Sequence, residues 1–366
     1  MAIKVISLFS GCGGLDLGFK KEGFDIVWSN DKVEDACTTH RKNIGDHTIC
    51  GDLNVISVES IPSGNILIGG PPCQSFSLLG RRKPEDERGD LAWKYLEILE
   101  EKRPQLFLFE NVLGIISAQT KDGHNVLDRL RNLVHHMGYV LSTYTLNAAD
   151  YGVPQRRRRV FIVGSLNGKE IECPSPTHRE TSERVLAGRV LERWISSREA
   201  LSDLPKPSAE DGIPYATEAQ NEYQRSMREK SNSVYNHYPP YASEKDMQII
   251  RSVPPGGNYM DVPNDIATKR IMKFKQTGGR TTTYGRLDPE KPAYTINTYF
   301  DRPNVGCNIH YSEDRMITIR EGLRLQSFPD DFIVYSNSKR NYYLQVGNAV
   351  PPLLAQAWAR KLKEYI

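Results

Sequence analysis

Between Lys4 and Val163 short apolar runs alternate with amphipathic stretches, and that alternation leaves few folds open. Strands are predicted over Lys4–Ser10, Asp25–Asn30, His47–Asp52, Ile66–Ile68, Leu106–Phe109, Val140–Leu146 and Val160–Val163. Helical patterns fill the gaps at Leu15–Lys20, Val33–Arg41, Leu91–Glu101 and Asn125–Met137. Leu106–Phe109 is apolar without a break, as expected of a strand covered on both faces. Strand and helix in alternation argue an α/β fold with an open, mostly parallel sheet. Ligands of such sheets bind at the carboxyl ends of the strands. Asp31, Asp52, Cys73 and Glu110 all fall at such ends, which points to a single cleft.

The texture changes after Leu166. Residues 167–312 are rich in Pro, Gly, Ser, Thr, Tyr and Arg and weakly periodic, and predict a second, smaller, irregular domain of loops and short strands. Helical signals return at Thr318–Gln326 and Pro352–Tyr365, so the first domain, 1–166, is expected to resume over 313–366. At 366 residues, 39% hydrophobic and 25% charged, the chain has ordinary globular composition. It holds no apolar run long enough to span a bilayer and opens without a secretory pattern, so a cytoplasmic location is expected. The six cysteines contain no CxxC spacing and predict reduced thiols and no metal site. The net charge of +3 is unevenly placed. Residues 1–150 carry 16 basic and 20 acidic side chains, against 32 and 25 in the remainder. A basic second half fits a polyanionic partner, although basic runs are often only solvated faces.

Four short segments could carry chemistry. Phe9-Ser10-Gly11-Cys12-Gly13-Gly14 follows the first strand and allows a ligand to approach the backbone closely. Its GxGG spacing is not the dinucleotide fingerprint, but Asp31, twenty residues on, could accept both hydroxyls of an adenosine ribose. Gly69-Gly70-Pro71-Pro72-Cys73 fixes a non-helical path that presents a thiol at a strand end. A free cysteine is commonly a small buried hydrophobe, and Cys12, Cys37, Cys50, Cys173 and Cys307 are read that way. The rigid flanks of Cys73 favour a nucleophile. Glu110 ends an apolar strand, where burial raises a carboxyl pKa and fits it to donate a proton to a ring nitrogen; a capping or ion-paired glutamate is the alternative. In Gln155-Arg156-Arg157-Arg158-Arg159, alternation puts Arg157 and Arg159 on one face, either toward the cleft or as part of a basic surface.

These pieces, in this order, resemble the cytosine-C5 DNA methyltransferase family of bacterial restriction–modification type. The matching blocks are LFSGCGGLDLGF (8–19), GGPPCQSFS (69–77), ENV (110–112), QRRRR with its strand (155–164), RMITIREGLRLQSFPDDF (315–332) and QVGNAVPP (345–352). The resemblance implies a Rossmann-like S-adenosylmethionine-dependent domain joined to a target-recognition domain. It implies that Cys73 adds to cytosine C6, that Glu110 engages N3 and the exocyclic amine, and that Arg159 and Arg157 steady the base. Phe9, Ser10, Gly11, Gly13, Gly14, Asp31, Asp52, Pro72, Asn348 and Ala349 would hold the cofactor. Gln74, Ser77, Arg81 and Arg82 would lie on a loop closing over DNA. Asp31 stands where glutamate is common, one methylene shorter. No metal is implied, since the sulfonium of the donor is itself reactive.

Target recognition is expected within 167–312. Arg280, Thr282, Tyr284, Arg286 and Arg302 are candidates to contact DNA, because arginine on guanine is the commonest specific major-groove contact; arginines that only grip phosphate are the alternative. A tRNA-acting relative and a DNA-binding module without catalysis are the competing readings. The first lacks its characteristic cysteine-phenylalanine-threonine stretch here, and intact Cys73, Glu110 and Arg159 oppose the second. A monomer acting on double-stranded DNA is expected, alongside a separate cognate endonuclease and without a stable complex.

Overall fold

The computed structural model describes residues 2–72, 91–120, 123–181, 185–186 and 189–366. The chain packs as two units. The first comprises residues 1–147, 158–175 and 354–366, and the second 148–157 and 176–353.

The first unit is built on a seven-stranded sheet of order β3-β2-β1-β4-β5-β8-β6. Its strands are β1 (Lys4–Leu8), β2 (Asp25–Asp31), β3 (Thr48–Cys50), β4 (Ile66–Gly69), β5 (Leu106–Asn111), β6 (Val140–Asn147) and β8 (Arg158–Ser165); β7 is the two-residue Gln155–Arg156 of the second unit. β1 to β5 run parallel, and β8 is antiparallel to both its neighbours, β5 and β6. Helices α1 (Gly14–Lys21), α2 (Glu34–Asn43), α3 (Leu91–Lys102) and α4 (Val126–His136) connect the strands. This is the expected α/β class. Leu106–Phe109 and Val160–Val163 are buried throughout, because helices cover the central strands on both faces. Phe107 faces Gly164 across the β5–β8 pair, and a Cβ on that glycine would meet the ring at 2.1 Å. Tyr95 of α3 meets Phe109 edge-on, and Trp358 packs on Phe161. No helix among the described residues is long and apolar enough to cross a membrane.

The second unit carries more helix than its sequence suggests. The region expected to be loops and short strands contains α5 (Ser197–Leu201), α6 (Glu222–Arg228), α7 (Glu244–Ser252) and α8 (Lys269–Thr277). Helices α9 (Ile319–Leu325) and α10 (Lys339–Asn348) follow, and α11 is Pro352–Lys363. Five of these helices start on a side chain that accepts from their own N–H groups: Ser196, Asn221, Ser243, Thr268 and Thr318. The unit's interior also departs from apolar periodicity. Arg324 is fully buried between Asp203 (3.0 Å) and Asp330 (2.5 Å). Arg315 grips Glu321 at 2.7 Å, and Glu321 closes a capping box with Thr318. All seven residues of α9 are buried, charged ones included. The second unit continues to Leu353 and includes α9 and α10.

Candidate active site

In the first unit, strand order reverses between β1 and β4, and the sequence motifs collect at the carboxyl ends there. After β1 the backbone turns through three left-handed residues, Phe9 (φ 55°), Gly11 (φ 55°) and Gly13 (φ 96°). Two are glycines, which adopt this region without steric cost. The Ser10 N–H donates to the Asn30 carbonyl at 2.9 Å. The Gly11 N–H donates to Asp31 Oδ2 at 2.8 Å, and the Val33 N–H to Asp31 Oδ1 at 2.9 Å. Burial pushes the Asp31 carboxyl up, opposed by the N–H groups of Val33, Gly11 and Lys32. Gly14 begins α1.

Each Asp31 oxygen keeps a lone pair beyond its backbone donor, so the carboxylate can still take two hydroxyls. A Cβ on Gly11 would stand in open space, so this stretch of backbone is open to an approaching ligand. The residues at the end of β2 therefore fit an adenosyl group. Asp52 caps a single turn at Leu53–Val55. Its Oδ2 lies 2.9 Å from Lys32 Nζ, and Lys32 holds this carboxyl below the usual carboxylate range.

The second half of the cleft is at β4 and β5. A Cβ on Gly69 would meet the Leu8 carbonyl at 2.7 Å, so glycine lets β4 lie close against β1. A Cβ on Gly70 would stand 3.1 Å from Glu110 Oε2. Gly70 thus allows the chain to leave the sheet directly beside the carboxylate. Asn111 Nδ2 donates to the Pro71 carbonyl at 2.9 Å and fixes the Pro-Pro exit path. Pro72 is exposed. Cys73, Gln74, Ser77, Arg81 and Arg82 lie outside the described residues.

Glu110 sits within β5, opposite Phe161 of β8, and is nearly buried. Arg159 Nε lies 2.9 Å from Glu110 Oε1, with both side chains about one-tenth exposed. The ion-paired alternative for Glu110 is thus realised, with Arg159 as its partner.

Arg157 takes a different place from the one its alternation suggests. It belongs to the second unit, is buried, and donates to the carbonyls of Ile296 (3.0 Å), Gly347 (2.8 Å) and Ala349 (2.9 Å). Its fork ties two loops together. Gln155 beside it does likewise, donating to Leu325 O and accepting from Ile296 N. Asn348 is exposed at the end of α10, and Ala349 is its buried cap.

Among the recognition candidates, Arg280 and Arg302 are exposed and Thr282 is half-buried. Arg302 stacks over Tyr299, with the guanidinium carbon 4.8 Å from the ring centroid. Tyr284 and Arg286 correct the sequence reading. Tyr284 is buried in a small core with Ile249, Val253, Tyr259, Val262 and Ile271. All five N–H donors of Arg286 are spent, on the carbonyls of Val253, His310, Glu313 and Ile250 and on Asp314. Both side chains are buried in this structure. Three residues that sequence reasoning passed over matter structurally: Asn111, Asp16 and His40. Asn111 stood inside a quoted motif, but only its distance to Pro71 shows what it does.

Residues 3–364 match a family model, C-5 cytosine-specific DNA methylase. Type II methyltransferase M.NgoFVII of Neisseria gonorrhoeae is 34% identical over 354 residues, covering 95% of this chain and 83% of that protein. Type II methyltransferase M.MthTI of Methanothermobacter thermautotrophicus is 34% identical over 370 residues, covering 100% of this chain and 98% of the relative. Among solved structures, one from Escherichia coli, described as a prophage-encoded DNA modification methyltransferase, aligns with a TM-score of 0.73 at 24% identity, covering 99% of both chains. The S. pombe Dnmt2 methyltransferase aligns with a TM-score of 0.58 at 16% identity, over 99% of this chain and 98% of that one, and shares the fold. The chain belongs to the C-5 cytosine-specific DNA methylase family and is a DNA (cytosine-5-)-methyltransferase.

Proposed function

We propose that the chain is the modification enzyme of a Type II restriction–modification system, which methylates C5 of a cytosine turned out of duplex DNA through a covalent Cys73–C6 bond. The observation that carries this reading is the Glu110–Arg159 pair, set beside the Pro71 that Asn111 pins two residues before Cys73. S-adenosylmethionine, when bound, supplies an electrophilic methyl group and departs as the thioether.

Cytosine C6 is a poor electrophile. A Glu110 carboxyl hydrogen-bonded to N3 and the exocyclic amine draws electron density from the ring, and a proton held at N3 completes the activation. The Cys73 thiolate then forms a C–S bond at C6, and the displaced electron pair makes C5 nucleophilic. After C5 gains its methyl group, loss of the C5 proton returns the pair to the ring. The C6–S bond breaks and Cys73 leaves as thiolate. Arg159 holds the Glu110 carboxylate in place and offers its remaining donors to the O2 carbonyl of the base. Turning the base out costs about a few kcal/mol, offset by phosphate and pocket contacts.

We assign Phe9, Ser10, Gly11, Gly13, Gly14 and Asp31 to the adenosyl donor, with Asp52 toward the adenine and Pro72, Asn348 and Ala349 completing the site by resemblance. Gln74, Ser77, Arg81 and Arg82 are assigned to the closing loop on the same ground. Arg280, Thr282 and Arg302 remain as DNA contacts, and Arg157 is reassigned from the base to holding the 296 and 347–349 segments. The enzyme acts as a monomer in the cytoplasm, without a stable complex with the endonuclease. The test is expression in a host free of cytosine-C5 methylation, followed by base-resolution mapping. Dense 5-methylcytosine in one short motif is expected, and none with Cys73→Ser. Unmethylated host DNA beside soluble protein, with no methyl transfer to duplex DNA in vitro, overturns the reading.

A further inference from the structure

Behind the glycine turn lies a polar chain that the chemistry does not use. Asp16, in the first turn of α1, and His40, near the end of α2, both have fully buried side chains. His40 Nε2 lies 2.8 Å from Asp16 Oδ2. His40 Nδ1 lies 2.7 Å from Thr48 Oγ1 of β3. Ser29 of β2 donates to the same Thr48 oxygen at 3.0 Å, and Ser29 and Thr48 are register partners. His40 Nε2–H donates to the carboxylate and Thr48 accepts from Ser29, while the Thr48 hydroxyl lies within reach of both His40 Nδ1 and the Gly45 carbonyl, the latter at 3.4 Å. Asp16 Oδ1 has no hydrogen-bond partner among the described residues. A buried carboxylate in that state depends heavily on the histidine.

This chain joins α1, α2, β3 and β2, and its histidine touches the glycine turn. A Cβ on Gly13 would stand 3.0 Å from His40 Cδ2 and 2.8 Å from Ile44 Cγ1. The turn therefore rests on the end of α2, with the Gly11 N–H tied to Asp31 at its other side. Two elements set how far the turn stands from Asp31: the β1–β2 pairing, and this strut.

We propose that Asp16 and His40 are positioning residues for the adenosyl group of the methyl donor. They fix the spacing between the Gly11–Gly13 backbone and Asp31 without touching the ligand. The proposal rests on the assignment of the donor to this turn. It predicts an effect on donor affinity and little effect on turnover once the donor saturates.

The probe is S-adenosylhomocysteine, titrated calorimetrically into the full-length protein, beside KM for S-adenosylmethionine and kcat. His40→Ala removes the strut, and His40→Gln keeps a donor near the Nε2 position. His40→Ala is expected to raise both Kd and KM about tenfold or more, with kcat within about twofold, and His40→Gln to recover most of the affinity. Should His40→Ala not fold, Asp16→Asn, which keeps the shape and loses the charge, is expected to weaken binding several-fold. Unchanged Kd in the folded variants, with only Tm or active fraction lowered, overturns the proposal. Asp31→Ala separates it from the underlying assignment. If Asp31→Ala abolishes binding and His40→Ala does not affect it, only the strut fails. If the wild-type chain does not bind, or Asp31→Ala binds as wild type, the donor site itself is wrong and the strut falls with it.

Discussion

Glu110 shows how one carboxylate is prepared for a heteroaromatic base. Strand β5 brings it to the carboxyl end of the sheet, Gly70 leaves room for it, and Arg159 holds one oxygen at 2.9 Å. Replacing it with glutamine keeps the shape and removes the proton. For Glu110→Gln we expect single-turnover methylation to fall by about 10²- to 10⁴-fold, the range for loss of a general acid. DNA affinity should stay close to wild type; a rate that also stays close would remove Glu110 from the chemistry. The site residues at strand ends were legible in the sequence because strand termini can be read from apolar runs. Glu110, Asp31 and the glycine turn fall where those runs stop. Arg157, Tyr284 and Arg286 were misread, since a basic or aromatic residue in a polar loop looks identical whether it faces solvent or a ring of carbonyls. Only folded geometry tells them apart.

At the level of elements, the sheet was readable and most of the second unit was not. Buried strands announce themselves by continuous apolar residues, and α9 was legible as well, at Thr318–Gln326, whereas α5 to α8 lie in short polar stretches opened by side-chain caps and were not. Buried ion pairs stabilise only as complete sets, and removing one partner costs about 3–5 kcal/mol. Arg286→Ala strands four carbonyls and Asp314 and should lower Tm sharply or leave the protein insoluble, while Arg280→Ala should melt as wild type. Equal melting of the two variants would return Arg286 to the recognition surface. The same unit should be acid-sensitive. His237 donates from Nε2 to Pro205 O and accepts at Nδ1 from Thr318, and burial lowers its pKa, as it does for His310. A histidine with a lowered folded pKa takes up protons more readily when unfolded, so its contribution is present above about 6.5 and declines as pH falls below that. Arg315 beside Glu321 holds that carboxyl below its usual range, against its burial, which adds a loss below about 4.5. Thermal melts should therefore hold down to about pH 6.5 and drop from there to pH 5, and His237→Asn should flatten part of that slope. A flat profile would mean that neither histidine is neutral in the fold.

Across the whole molecule, charge is divided as the chemistry would require, with 32 basic and 25 acidic residues after position 150 against 16 and 20 before it. Sequence alone could show this bias but not which cations meet DNA. Around α8 the structure narrows the choice. Lys269, Arg270 and Lys273 are exposed on the helix. Arg270, Phe274, Gly278, Gly279, Arg280 and Thr283 line an open cleft beside it. Lys275 is already engaged by Val262 O and Asn264. Phosphate contacts and base contacts leave different signatures. A phosphate contact releases counterions, so its loss should lower the slope of log K against log salt by about 1 and weaken all sequences alike. A base contact should cost about 1–3 kcal/mol at one position of the target and leave the slope almost unchanged. Titrating Lys273→Ala and Arg280→Ala against target and scrambled duplexes at several salt concentrations separates the two. We expect Lys273 to behave as the phosphate contact and Arg280 as the base contact. If both change only the slope, the cleft positions the enzyme on DNA and sequence is read elsewhere in the second unit.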